Sequence, residues 1–221
     1  MSIKLKYWPA VLLFSALSGC YPHGAQYTSD LDLVYTNYSS GFNFSQRTTY
    51  AISDSVIEIT GDVFDNSNGD GKPDFLPSAY AQAIVSQIKK NMDAYGYHLV
   101  DKNANPDVII LASTMTTTNL YYYYDWGYWG WYYPGYNPGW GWYYPGYYPP
   151  YVTGYKSGSV FVQMVDQHAV ASPTPGNAIG NIPVIWSMIL NGLAQGGTAD
   201  ITARVQTNID QGFAQSPYLK H

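Results

Sequence analysis

Three places in this 221-residue chain carry side chains suited to chemistry: Cys20, the only cysteine; an Asn/Asp/Gly loop around 66–74; and a tyrosine and tryptophan block at 121–151. Cys20 closes the run Leu17-Ser18-Gly19-Cys20, which ends an apolar stretch that begins at Tyr7 and follows Lys4 and Lys6. A positive start, a short apolar run and small residues before a cut are the parts of a secretory signal. A cysteine at the cut supplies a thiol that can be acylated, and two or more acyl chains hold a protein stably on a membrane. Tyr7 to Gly19 is 13 residues, short of the roughly 20 that a transmembrane helix needs. We therefore expect a signal peptide at 1–19, a lipidated polar tether at 20–29 and a membrane partner reached through Cys20. Tyr21 follows the cysteine where an Asp commonly retains lipoproteins in an inner membrane, so the expected location is the outer membrane, on its periplasmic face.

The second place reads Asn66-Ser67-Asn68-Gly69-Asp70-Gly71-Lys72-Pro73-Asp74. Calcium takes six to eight oxygen ligands, and alternate positions of a tight loop aim oxygens inward while a glycine permits the turn. Asn66, Asn68, Asp70 and Asp74 are the candidate Ca2+ ligands. Residues 54–74 hold six acidic side chains against Lys72 alone, a concentration that repels itself without a counter-ion. Against calcium stand the Asn at the first position and the missing Glu at the twelfth. The plainer alternative, a solvated turn of Asn, Asp and Gly, is favoured.

Residues 121–151 hold 13 Tyr and five of the seven Trp, with Asp125 as the only charge. Gly130-Trp131-Tyr132-Tyr133-Pro134-Gly135-Tyr136 recurs as Gly141-Trp142-Tyr143-Tyr144-Pro145-Gly146-Tyr147. Pro and Gly at this density forbid a long helix or a central strand, which leaves a low-complexity loop displaying aromatic faces, separable from the fold. Trp126, Trp129, Trp131, Trp140 and Trp142 are its candidate binding residues, since Tyr and Trp suit boundaries that are dry on one side and wet on the other. Three readings stay open: a loop with no dedicated partner; adhesion to another envelope protein or a second copy; and contact with the lipid interface or with glycan rings.

Several function classes are disfavoured. The formal net charge is −5, or −7 without Lys4 and Lys6, and binding nucleic acid needs a basic patch. With Cys20 acylated, no thiol remains for catalysis or for an intrachain disulfide. His23, His98, His168 and His221 are isolated in sequence, Glu58 is the sole Glu, and neither a nucleophile elbow nor a phosphate-cradling glycine loop is present. We expect no enzyme.

These features need a scaffold. Strand-favouring β-branched and aromatic runs occur at 31–35, 48–52, 56–59, 97–100, 107–114, 159–166 and 184–193. Ile84, Val85, Ile88, Met92 and Tyr95 have helical spacing within 78–95, and Gly96 follows as a C-terminal cap. Ile201, Val205, Ile209 and Phe213 recur every four residues in a closing helix that starts near Asp200. Strands outnumber helices without strict alternation. The expected domain, 30–217, is α+β: a mostly antiparallel sheet with two helices packed on it, plus the aromatic insert.

Phe42-Asn43-Phe44-Ser45, then Thr49-Tyr50-Ala51-Ile52, Asn91-Met92 with Gly96-Tyr97, Pro106-Asp107-Val108, Gly158 to Asp166, Trp186, Phe213 and Pro217 form a pattern. It resembles the lipoproteins of domain of unknown function 4136 over roughly 30–217. The resemblance implies a lipid-anchored envelope protein with an α+β domain and transfers no catalytic residue. The aromatic insert and the Asp/Asn loop depart from the family pattern. The expected role is a structural or protein-binding module, with capture of glycan or cell-wall fragments by the insert as the alternative.

Overall fold

The chain divides into Met1–Leu31 and Asp32–His221. The structure, a computed structural model, describes residues 32–59, 74–115, 141–143, 158–168, 181–191 and 198–221, all in the second unit. The expected signal, tether and lipidated Cys20 lie outside the described residues, as do Asn66, Asn68, Asp70, Trp126, Trp129, Trp131 and Trp140.

Eight strands and two long helices are described, with single 3-10 turns at Phe44–Gln46 and Pro217–Leu219. The strands are β1 Leu33–Tyr38, β2 Thr49–Ile52, β3 Ile57–Ile59, β4 His98–Leu99, β5 Val108–Met115, β6 Gly141–Tyr143, β7 Ser159–Asp166 and β8 Asn181–Asn191. The helices are α1 Ser78–Ala94 and α2 Thr198–Ala214. The sheet order is β1-β8-β7-β5-β2-β4, with β3 also on β5 and β6 on β8.

The sheet is mixed, not mostly antiparallel as the sequence suggested. β1/β8, β8/β7 and β7/β5 are antiparallel, whereas β5/β2, β2/β4, β5/β3 and β8/β6 are parallel. The cause is α1. After β2 and β3, this 17-residue helix returns the chain along the sheet, so β4 and β5 run in the same direction as the strands before it, a crossover that parallel pairing requires. β2 and β3 share one edge of β5: Tyr50 to Ile52 pair with Val108 to Ile110, and Ile57 to Ile59 with Ser113 to Met115.

Strand alternation divides the residues of β5 and β7 between two faces. Val108, Ile110, Ala112, Val160, Val162 and Met164 join the helix-side core, with Ile84, Val85, Ile88 and Met92 of α1 and Val205, Ile209 and Phe213 of α2. Ile109, Leu111, Phe161 and Val165 alternate to the other face and are buried as well. Burial on both faces is why these strands read as unbroken apolar runs.

Gly96 ends α1 as expected. Its φ of +93° is left-handed, the region glycine enters without a Cβ penalty. The Gly96 N–H donates to the Asp93 carbonyl at 3.1 Å and the Tyr97 N–H to the Met92 carbonyl at 3.0 Å, which is the Schellman pattern.

One short strand, β6, is described within the 121–151 insert. Gly141, Trp142 and Tyr143 pair with Asn181, Ile182 and Pro183. Between Pro138 and Pro145 no proline removes a backbone donor, and the adjacent aromatic residues favour extended backbone.

Candidate functional site

The carboxyl ends of the parallel strands β3 and β5 meet the N-terminal halves of both helices, and a half-open cavity of about 160 Å3 lies between them. The sheet contributes Glu58 from β3, Thr114 from β5 and Val160 from β7; α1 contributes Tyr80, Ala83 and Ile84; α2 contributes Ile201, Thr202 and Val205. Leu76 closes one side, held where its N–H donates to the Val56 carbonyl at 2.9 Å.

The cavity follows from side-chain sizes. α1 and α2 run parallel, and toward their C-terminal ends rings fill the space: Tyr95 meets Phe213 edge-on at 5.4 Å, and Phe213 lies 5.4 Å from Trp186. Midway, Asp210 of α2 accepts from Gln87 and, at 2.7 Å, from Asn91 Nδ2. Toward the N-terminal ends α1 presents Ala83, which cannot reach across as those rings do, and the interface stays unfilled. The walls are almost wholly apolar. The Thr114 hydroxyl is engaged with the Ile57 carbonyl at 3.3 Å, and Glu58 stands across β3/β5 from Thr114. Among the described residues no cation pairs with the Glu58 carboxylate.

A polar cluster occupies the opposite end of the sheet. Asp107, just before β5, accepts from the N–H groups of Thr48 and Thr49 at 2.8 and 2.9 Å, and from the Thr49 hydroxyl at 2.9 Å. His168 Nε2 lies 3.2 Å from its other oxygen. Asp166 takes the Arg47 guanidinium at 3.2 Å and the His168 N–H at 3.1 Å. Burial pushes the Asp107 carboxyl up, but the Thr49 and Thr48 N–H groups, the Thr49 hydroxyl and His168 outweigh it and bring the pKa to about 2. Thr, Asp and His suggest nucleophilic catalysis until the order of contacts is considered. The hydroxyl donates to the carboxylate rather than to the imidazole, so the contacts do not follow the nucleophile, imidazole, carboxylate order of a triad. This cluster ties the start of β2 to the start of β5 and the end of β7.

A folded-state pKa of about 2 against 3.8 means the native state holds this proton more weakly than the unfolded chain. The resulting stability is complete above about pH 4, falls as pH drops through that window and is gone near pH 2. Asp107→Asn should cost about 2 kcal/mol at neutral pH. Urea midpoints should also show the variant losing less than the native chain between about pH 4 and pH 2.

Of the candidate metal ligands only Asp74 is described. Its carbonyl accepts from the Glu58 N–H at 2.9 Å, which places its backbone alongside β3. Among the described residues no group of three or more His, Cys, Asp or Glu side chains is placed to hold a metal ion. Trp142 is placed by its β6 backbone against Ile182. His168, isolated in sequence, gains its partner Asp107 from 61 residues away, and no local pattern announces that pair.

The model of the domain of unknown function DUF4136 matches residues 34–218. The chain belongs to this family. A crystal structure of another DUF4136 family protein, from Bacteroides thetaiotaomicron, is 30% identical, with a TM-score of 0.65, over 86% of this chain and 97% of that one. A PDZ domain protein from Parabacteroides distasonis is 16% identical with a TM-score of 0.42, over 86% of this chain and 37% of that one. No curated protein matches this DUF4136 chain. Its family region runs from β1 through the turn at Pro217–Leu219, and so includes both the cavity and the polar cluster.

Proposed function

We propose that this DUF4136 chain is a lipid-anchored protein of the outer membrane whose α+β domain acts as a structural or binding module and not as an enzyme. One observation carries the module reading: the concave site is almost wholly apolar, while Thr49, Asp107, His168 and Asp166 at the far end of the sheet are engaged in hydrogen bonds within the fold. Binding sites are commonly apolar hollows with few polar groups, and among the described lining residues Glu58 is the one carboxyl group. The anchor reading rests on the sequence around Cys20. Among the described residues no helix is long and apolar enough to cross a membrane. A glycan ligand would suit the tryptophans of the insert better than this cavity, whose walls offer few partners for sugar hydroxyls.

Cys20→Ser tests the anchor. The native chain should incorporate labelled fatty acid and sediment with membranes, and the variant should do neither. A serine variant that stays in the membrane pellet would sink the lipid anchor.

A further inference from the structure

We propose that the cavity between the two helices and the sheet binds a small organic ammonium, its apolar group buried between Ala83, Ile84, Val160 and Val205 and its charge held at Glu58. The inference deepens the binding-module reading and rests on it.

Size sets the apolar part. A space of about 160 Å3 is close to the roughly 150 Å3 of an apolar cavity that stays dry and admits benzene. The group that fits is therefore one aromatic ring or a short alkyl end. Burying it also covers wall atoms that otherwise have no contact partner on one side.

Charge sets the polar part. Among the described lining residues Glu58 is the one carboxyl-bearing side chain, and it sits on the helix-facing side of β3 opposite Thr114. Asp200 immediately precedes the lining residue Ile201, and Asp74 has its carbonyl on the Glu58 N–H. Arg204, one turn further along α2, is committed to Asp32. Glu58 thus puts a carboxyl group on the wall of a cavity in a chain of formal net charge −5, a balance that favours cations over carboxylates.

Benzylamine, benzyl alcohol and benzoate share one ring and differ in charge. In thermal melts of the full chain in buffer free of alkyl detergent, benzylamine should raise the midpoint saturably, benzyl alcohol less so and benzoate least. Ala83→Leu fills the cavity and should abolish the response to all three. Glu58→Gln, at a partly exposed position, should leave the response to benzyl alcohol intact and weaken benzylamine by roughly 2- to 5-fold, the scale of a partly exposed ion pair. If Ala83→Leu does not fold, the Glu58→Gln comparison decides alone. The proposal is overturned if benzylamine gives no saturable rise, if Ala83→Leu responds like the native chain, or if Glu58→Gln binds benzylamine unchanged. Cys20 acylation is read separately, so failure here leaves the anchor standing, and failure of the anchor leaves the cavity standing.

Discussion

Arg204→Met should cost about 3–5 kcal/mol, the scale for breaking a buried ion pair from one side. Arg204 Nε donates to Asp32 Oδ2 at 2.9 Å, and its terminal nitrogen pairs with Oδ1. Asn208 Nδ2 adds a third donor at 3.0 Å. The two charged side chains are only 12% and 5% exposed. The hydrogen bond to Asp32 raises the Arg204 pKa further, against a smaller effect of burial, so the guanidinium keeps its charge. Met keeps the packing of the stem but leaves Asp32 with Asn208 as its main donor. Replacing both residues, as Asp32→Leu with Arg204→Met, should recover most of the loss, because the desolvation cost disappears with the charges. Chemical unfolding of the two single variants and the double variant measures the coupling. A single-variant loss below about 1 kcal/mol would place the pair with ordinary surface bridges.

Trp186→Ala should be comparably severe, at about 3–5 kcal/mol. The indole is 1% exposed at the closed end of the helix pair, 5.4 Å from the Phe213 ring. Its Nε1–H donates to Ser216 Oγ at 2.9 Å, and the Tyr218 hydroxyl donates to the same oxygen at 3.1 Å. The bulk and the hydrogen bond can be separated. Ser216→Ala keeps the ring but strands the indole N–H, which should cost about 1–3 kcal/mol. Unfolding followed by far-ultraviolet circular dichroism should rank Trp186→Ala well below Ser216→Ala. Equal losses would mean that the hydrogen bond, and not the packing, dominates this position.

Local pattern made much of this fold legible. β7 spans the same residues, Ser159 to Asp166, that its apolar and β-branched composition marks out. α1 and α2 follow their three- and four-residue apolar spacing, and Gly96 adopts the left-handed backbone its place after the helix predicts. Partner choice was not legible. Nothing within Thr49–Ile52 says that it lies parallel to β5, because that depends on where α1 delivers the chain. The cavity also has no local signature, since it is volume left unfilled by side chains from five elements. Asp107 and His168 meet only because β5 and β7 are neighbours.

The pairing of β1 with β8 has a kinetic consequence. Leu33 lies opposite Asn191, and Asp32 reaches Arg204 across 172 residues. Contacts this distant in sequence require closing a long loop before any of their energy is returned, which slows folding. The first strand stays unpaired until β8 and α2 are present. A nascent chain should therefore remain open and dependent on protection from aggregation, and truncation before Trp186 should abolish cooperative folding instead of trimming an edge.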